Sequence, residues 1–242
     1  MLTMCYRYAI YTKPERIETK WQVTITQEYT PRYHVSAFTS NNLPIITQDK
    51  QTEVQLASWG LIPHWAKTIN QAEDIRQKTV NARSETIFKK PSFRHAASKN
   101  HCLVIADGFF EWREVNQRKY PYYIRLKNQE PFAMAGLWEP WTNPDTDEMM
   151  ITYTIITTDA NPLMAKIHNT KKRMPVILPD GFDKLWLNTF EKDKAGQLLV
   201  PFEQGKMEAY TISKLITARD KDPNVSQVLS PFVYPDVKPR YP

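Results

Sequence analysis

Cys5 is the candidate nucleophile, because it lies close to the start of the 242-residue chain. If the residues before it are removed, it carries a free α-amino group beside its thiol. An α-amino group has a pKa of about 7.7–8.0 and a thiol one of about 8.5, so both are partly deprotonated near neutral pH. Such a 1,2-aminothiol condenses with an aldehyde, first through a Schiff base and then by closure of a thiazolidine ring. The alternative is that Cys5 is a small buried residue of the first strand.

Residues 81–86, NARSET, place an amide, a guanidinium, a hydroxyl and a carboxylate within six positions. The planar guanidinium of Arg83 suits a phosphate, and the amide of Asn81 could orient a substrate hydroxyl or a terminal amine. A purely structural arrangement, an Arg–Glu pair with Ser84 at the start of a helix, fits the same residues. The sequence leaves both interpretations open.

Glu111 and His168 are the candidate acid–base residues. Glu111 lies among aromatic residues in DGFFEW, and apolar neighbours raise the pKa of a carboxyl group towards neutrality. His168 lies in KIHNTKKRMP, where nearby cations favour a neutral imidazole and attract phosphates. The alternatives are a solvent-facing glutamate on an edge strand and a structural histidine.

Two tryptophans flank the turn in WGLIPHW, residues 59–65. Trp59 and Trp65 could stack on unpaired bases, although aromatic residues beside a tight turn more often belong to the core.

The net charge of +6 is concentrated in two segments. Residues 64–101 carry eight Lys or Arg against three acids, and residues 160–179 carry four against none. This clustering indicates a surface that attracts a polyanion such as nucleic acid. An ordinary solvated basic face would have the same composition.

Several classes of site have no support in the sequence. The six glycines form neither a dinucleotide-binding nor a P-loop motif. The two cysteines form no CxxC pair and the five histidines no HExxH motif, so we expect neither a metal nor a cofactor. No long apolar run marks a membrane span or a signal peptide, and we expect a cytoplasmic protein.

Short apolar and β-branched runs dominate the chain and predict strands. Helices are predicted at residues 84–93, 161–168 and 180–190. Because the strands do not alternate strictly with helices, we predict one α+β domain with a mixed sheet. Four prolines in residues 231–242 predict an extended tail on the surface. The strands are predicted at residues 34–38, 43–47, 54–59, 103–106, 122–126, 132–137, 151–157, 176–178 and 209–213.

Six short motifs, in this order along the chain, make it resemble the SOS response-associated peptidase (SRAP) family, whose members protect abasic sites in single-stranded DNA. The resemblance covers nearly the whole chain. The segments are MCYRY (residues 4–8), WGLIPHW (59–65), NARSET (81–86), CLVIADGFFEW (102–112), AGLWEP (135–140) and HNTKKRMPVIL (168–178).

The resemblance implies a function, a fold and a role for each candidate residue. The function is covalent capture of abasic DNA through a thiazolidine at Cys5, and the fold is an α+β domain with a barrel-like mixed sheet. Asn81 would position the terminal amine, Glu111 would handle the protons of the Schiff base, and His168 would assist opening of the sugar ring. The implied DNA-binding residues are Arg83, Trp59, Pro63, Trp65, Ser84 and Thr86.

The resemblance also implies a partner, abasic single-stranded DNA, that would bring the protein to the nucleoid, and we expect a monomer. An abasic-site lyase activity could accompany the crosslinking. The alternative function is a cysteine-dependent peptidase that removes its own first residues. The chain departs from the family pattern in three places. Residues 1–3 precede Met4, so either Met4 is the true start or residues 1–4 must be removed. Tyr6 replaces a glycine, and three additional residues separate His168 from Arg173.

Overall fold

Two β-sheets form the framework of the protein. The computed structural model describes residues 6–38, 42–218 and 220–242. The described strands are β1 (Arg7–Ile10), β2 (Arg32–Ser36), β3 (Leu43–Thr47), β4 (Lys50–Trp59), β5 (Asn81–Arg83), β6 (His101–Ala106), β7 (Gly108–Val115), β8 (Arg118–Leu126), β9 (Phe132–Thr142), β10 (Met149–Asp159), β11 (Arg173–Pro175), β12 (Met207–Thr211) and β13 (Arg240–Tyr241).

The helices are short and lie between these strands. None of those in the described ranges has the length and apolar character needed to cross a membrane. The α-helices are α1 (Pro14–Trp21), α2 (Ile69–Lys78), α3 (Arg94–Ala97), α4 (Pro162–Ile167), α5 (Asp183–Asn188) and α6 (Lys192–Leu198), and the 3₁₀ helices are Gln204–Lys206, Lys214–Thr217 and Ser226–Leu229.

One sheet closes into a five-stranded barrel because β9 pairs along both of its edges. It is antiparallel to β6 at one edge and to β10 at the other. Strands β3 and β4 complete the ring, in which β4 and β10 run parallel. Strand β5 adds to β10 in parallel, and β11 adds to it in antiparallel orientation. The prediction of an α+β fold with a mixed, barrel-like sheet is confirmed.

The second sheet has the order β13-β12-β8-β7-β1-β2. Strand β7 is an interior strand of this sheet, antiparallel to both β1 and β8. Strand β1, which follows Cys5 closely in the chain, is therefore the direct neighbour of the strand that carries Glu111.

Three buried aromatic residues join the two sheets. The hydroxyl groups of Tyr8 on β1 and Tyr153 on β10 are 2.9 Å apart. The ring of Tyr8 also meets the ring of Trp59 edge-on, with centroids 5.1 Å apart. Strand β1 is thus fixed against the barrel by polar and aromatic contacts.

The predicted helix over residues 84–93 is wrong. This stretch consists of turns, and only the four-residue α3 follows it. Pro91 explains the difference, because proline has no N–H to donate and disfavours helical backbone in the residue before it. The predicted helices at 161–168 and 180–190 correspond to α4 and the shorter α5.

Two helices absent from the sequence interpretation have recognisable start signals. Pro14 occupies the first turn of α1. The hydroxyl of Thr68 accepts a hydrogen bond from the Gln71 N–H at the start of α2. The predicted strands overlap observed ones, except that residues 176–178 follow β11 instead of forming it.

The proline-rich tail is extended, as expected, and it also adds to a sheet. Strand β13 pairs with the edge strand β12, and the Phe232 N–H donates to the Thr211 carbonyl. Tyr241 is buried there. The tail thus covers an edge that would otherwise be open for pairing.

We expect Gly136→Ala to lower the free energy of unfolding by about 1–3 kcal/mol, the usual cost of overpacking a tight core. Gly136 lies where β9 pairs with both β6 and β10. An added Cβ would lie 2.8 Å from Cys102 Sγ and 2.9 Å from the Thr154 carbonyl oxygen. Urea unfolding followed by circular dichroism measures the change.

Gly196→Ala is the matched control, since a Cβ at this position in α6 meets nothing within 4 Å. Alanine favours a helix over glycine, so the control should gain up to about 1 kcal/mol. Equal stability of wild type and Gly136→Ala would contradict the tight packing of this junction.

Candidate active site

A cavity of about 460 Å³ brings Glu111 and His168 together. Tyr6, the first described residue, also lines it. Two of the four predicted catalytic residues therefore share one pocket, and the chain enters the described structure at its wall. The other lining residues are Arg7, Trp112, Glu114, Lys119, Pro121, Thr170, Lys214 and Thr217.

Glu111 is only 4% exposed, although it lines the cavity. This burial raises the pKa of the Glu111 carboxyl group to about 8, although a hydrogen bond from the Trp112 backbone acts in the opposite direction. Glu111 is therefore mostly protonated at neutral pH. The alternative interpretation, a solvent-facing glutamate on an edge strand, is wrong.

His168 is the C-cap residue directly after α4, and it is also buried. Burial lowers its pKa, as do the charges of Lys171, Arg173 and Lys119, while a hydrogen bond to the Arg173 carbonyl opposes them. Nδ1 lies 3.0 Å from that carbonyl oxygen. Because a carbonyl only accepts, we assign the proton to Nδ1, which leaves the lone pair on Nε2.

Glu111 and His168 form a neutral acid–base pair. His168 Nδ1 lies 3.9 Å from Glu111 Oε1, but at neutral pH the carboxyl group is protonated and the imidazole is not, so the contact is not an ion pair. The pocket thus offers one proton donor and one proton acceptor side by side. Environments that separate two groups in this way are typical of acid–base catalysis.

Asn169 fixes the position of His168 relative to β7. Its side-chain oxygen accepts from the Glu114 N–H at 3.0 Å, and its side-chain amide donates to the Glu114 carbonyl at 2.8 Å. This amide pairs with the backbone much as a neighbouring strand would. Asn169 lies within HNTKKRMPVIL and was not among the predicted site residues.

Arg7 and Tyr6 form the wall nearest the start of the described chain. The Arg7 guanidinium lies over the ring of Trp112 at 5.4 Å, and the Tyr6 ring stacks on Phe38 with centroids 5.2 Å apart. The tyrosine that replaces the family's glycine thus has an aromatic partner outside the pocket. Neither residue was a sequence candidate, and only the pairing of β1 with β7 brings them to the cavity.

Asn81 and Arg83 lie on β5 and are not among the residues that line the cavity. Strand β5 runs parallel to β10, where Asn81 is opposite Ile155 and Arg83 opposite Thr157. Asn81 is buried and Arg83 is exposed. The structure therefore leaves the Arg83 guanidinium accessible to a ligand.

The rest of the NARSET segment is linked to the histidine segment by an ion pair. Arg173 is buried and binds the carboxylate of Glu85 through both terminal nitrogens, one of which also lies 2.7 Å from Asp159. Burial would raise the pKa of Glu85, but the bonds from Arg173 hold it below its ordinary value. Glu85 thus pairs with Arg173 and not with Arg83, and Ser84 caps no helix. Ser84 and Thr86 are half-buried beside it.

Trp59 differs from the sequence prediction. It is fully buried, and its indole N–H donates to the Val80 carbonyl at 2.7 Å. Its ring has no exposed face for a base, so the core interpretation replaces the DNA-binding one. Pro63 is also buried, whereas Trp65 is half-buried and its indole N–H lies 3.3 Å from the Pro91 carbonyl oxygen.

The two basic segments are mostly accessible. Seven of the eight Lys and Arg side chains in residues 64–101 are exposed. Of the four in residues 160–179, only Arg173 is buried. Cys5 lies outside the described residues.

The family model described as SOS response associated peptidase (SRAP) matches residues 4–219. The chain belongs to the SRAP family. A relative from Bacillus subtilis (strain 168), named abasic site processing protein YoqW, is 39% identical over 221 residues, which are 89% of this chain and 95% of that protein. Another from Xenopus tropicalis, named abasic site processing protein HMCES, is 33% identical over 215 residues, covering 76% of this chain and 62% of its own length.

A crystal structure of a Bacteroides thetaiotaomicron protein has the same fold. Its TM-score is 0.87 at 39% sequence identity, and the match covers 93% of this chain and 98% of that one. The strand framework around Glu111 and His168 is therefore that of the SRAP fold.

We expect Glu111→Gln to change how the stability of this SRAP domain depends on pH. A carboxyl group with a folded-state pKa of about 8 binds a proton more tightly in the native than in the unfolded chain. It stabilises the native state fully below its unfolded pKa, and this contribution is lost as pH rises to about 8. The wild type should lose up to roughly 5 kcal/mol relative to Glu111→Gln between pH 4.5 and 8, at about 1.4 kcal/mol per pKa unit.

Urea unfolding of both proteins at intervals from pH 5 to 9 measures this difference. His168 is present in both proteins, so its contribution largely cancels in the comparison. Parallel stability curves would show that Glu111 is ionised in the native state.

Proposed function

We propose that the protein binds abasic sites in single-stranded DNA covalently, through a thiazolidine at Cys5, and so shields the lesion. One observation carries this proposal. The residue after Cys5 lines a pocket in which a protonated carboxyl group and a neutral imidazole lie side by side. Membership of a family with relatives named abasic site processing proteins supports the same reaction.

The reaction needs a proton donor and a proton acceptor at successive steps. The α-amine of Cys5 attacks the aldehyde carbon of the ring-opened sugar to give a carbinolamine. A proton from Glu111 lets the hydroxyl group leave as water, and the imine forms. The thiol then adds across the C=N bond, with sulfur to carbon and the proton to nitrogen, and closes the ring.

His168 acts on the sugar before these steps. Its Nε2 lone pair can accept the proton of the C1′ hydroxyl of the closed sugar as the bond from C1′ to the ring oxygen breaks. Water gives a proton to that oxygen, and the aldehyde forms. An imine at the same carbon also permits loss of the 3′ phosphate by β-elimination, which is the lyase activity that accompanies the proposal. The role of Asn81 at the terminal amine stays a prediction, because this residue lies on β5 outside the cavity lining.

Four cations and a half-buried aromatic residue supply the proposed DNA contacts. Arg7, Lys119 and Lys214 line the pocket, and Arg83 is exposed on β5. We assign the DNA phosphates to these cations and an unpaired base to Trp65. The hydroxyl groups of Ser84 and Thr86 would donate hydrogen bonds to the DNA backbone.

An abasic single-stranded oligonucleotide should give an adduct with the wild type that resists SDS, and Cys5→Ala should give none. Glu111→Gln should form it about 100-fold more slowly, the usual contribution of one general acid. Band shift on a denaturing gel measures the adduct, and salt-dependent binding of the intact oligonucleotide measures DNA affinity.

Lys192→Gln is a control for charge, since this exposed lysine begins α6 and does not line the pocket. The N-terminus of each sample is determined by mass spectrometry. A wild-type protein that begins at Cys5 and forms no adduct, or one that begins at Met1 and forms it, would overturn the proposal.

A second candidate function is cysteine-dependent removal of the protein's own first residues. Four residues precede Cys5, the family match begins at Met4, and the family is described as a peptidase. Attack of the Cys5 thiol on the preceding carbonyl would release them by way of a thioester, with the Cys5 nitrogen as the leaving amine and water as the final acceptor.

Intact-mass measurement should show loss of residues 1–4 in wild type and their retention in Cys5→Ala and Glu111→Gln. The purified variants are incubated without cell extract, so that other aminopeptidases do not contribute. Trimming of the variants at the wild-type rate would show that the protein does not cleave itself.

A further inference from the structure

His64, His95 and Glu139 form a cluster outside the cavity described above. Their ligand atoms all lie within 4.8 Å of one another. Nδ1 of His95 is 2.5 Å from Glu139 Oε1, and Nδ1 of His64 is 3.9 Å from the same oxygen. Two imidazoles and one carboxylate thus converge on one point from three separate parts of the chain.

The backbone around this cluster is held by hydrogen bonds on each side. The Ile62 N–H, two residues before His64, donates to the Thr152 hydroxyl at 2.9 Å, and that hydroxyl lies 3.0 Å from the Glu139 carbonyl oxygen. The indole N–H of Trp65 lies 3.3 Å from the Pro91 carbonyl, in the segment that leads to α3 and His95. Glu139 is therefore held by the barrel strand β9, and hydrogen bonds of neighbouring residues hold the segments that carry His64 and His95.

The charge balance of the cluster favours a cation. The Glu139 side chain is only 3% exposed, and among the described residues its ionic partners are the two histidines, with no Lys or Arg. The imidazole centroids are 4.1 Å apart, so both rings lie within reach of one ion. A divalent ion bound by the two imidazoles and the carboxylate would balance the charge of this buried carboxylate.

The donor set selects the class of metal. Two imidazole nitrogens and one carboxylate oxygen suit zinc and similar first-row transition metals, whereas calcium and magnesium prefer oxygen donors. Zinc–nitrogen and zinc–oxygen distances of about 2.0–2.2 Å require the ligand atoms to lie about 3.3 Å apart in a tetrahedral site. His95 Nδ1 and Glu139 Oε1 need to separate by less than 1 Å, and His64 needs to move inward by a similar amount. His64 is half exposed and has room to do so.

We propose that His64, His95 and Glu139 bind one zinc-class divalent metal ion, with the fourth position open to water. The ion links the segment after β4, helix α3 and strand β9, and it holds Trp65 in place next to His64. This inference does not depend on the proposed reaction with abasic DNA, because none of the three residues lines the cavity with Glu111 and His168.

Titration of Zn²⁺ into chelator-treated, full-length protein tests the proposal. Calorimetry should show one ion per chain, and the melting temperature should rise with zinc concentration, since the ion binds the native state. Co²⁺ in place of Zn²⁺ should give visible absorption bands of a four-coordinate site. His64→Gln should weaken zinc binding at least 10-fold. Loss of a hydrogen-bond partner of a metal ligand already lowers metal affinity roughly 10–100-fold, and loss of the ligand itself costs at least as much.

Two further variants make the result specific. Lys67→Gln changes an exposed side chain three residues from His64 and should bind zinc like the wild type. Cys5→Ser removes a thiol that could itself bind zinc, and this variant should also bind zinc like the wild type. His64→Gln and His95→Gln both alter partly exposed side chains, so the test stands even if Glu139→Gln fails to fold.

Each result decides the matter. Wild-type protein that binds no zinc would overturn the proposal. So would equal affinity in wild type, His64→Gln and His95→Gln, or loss of binding in Cys5→Ser alone, which would place the metal at the N-terminal thiol. Binding that disappears with the histidines and persists without the thiol would establish the site.

Discussion

The carboxyl group of Glu111 is buried at the wall of the pocket, and the chemistry of the pocket depends on this burial. A carboxyl group in water is ionised at neutral pH and cannot donate a proton. In this interior the charged form loses its hydration, so the neutral acid prevails. The same burial keeps His168 neutral and able to accept a proton. One physical effect thus prepares the two groups for opposite roles.

The position of His168 depends on contacts made by its neighbours in the chain. Asn169 binds the backbone of β7, and the His168 imidazole binds the Arg173 carbonyl. Arg173 in turn binds Glu85, so the histidine segment is linked to the segment that carries Arg83. Residues 169–171 form an exposed turn, and these contacts anchor both ends of the segment.

Buried polar groups have distinct functions in different parts of the molecule. Arg173 belongs to a basic segment, but it is buried and its terminal nitrogens bind carboxylates, so it adds no exposed positive charge to the surface. Glu139 is as deeply buried as Glu111, yet it faces two imidazoles instead of an open pocket. A proton donor results in one case and a set of metal ligands in the other. The side chains that face each carboxyl group make the difference.

The sequence alone predicted the α+β class, most strands, and Glu111 and His168 as acid–base residues, because apolar periodicity and short motifs are local properties. It left both a core position and a DNA contact open for Trp59, and it did not predict that Arg7 and Tyr6 line the pocket or that residues 84–93 form turns. It did not indicate the proposed metal site, since His64, His95 and Glu139 share no short spacing and meet only in the folded chain. Whether a charged or aromatic side chain is buried, and what faces it, depends on residues distant in sequence. Only the tertiary structure decides these neighbours, and with them the protonation state of each group.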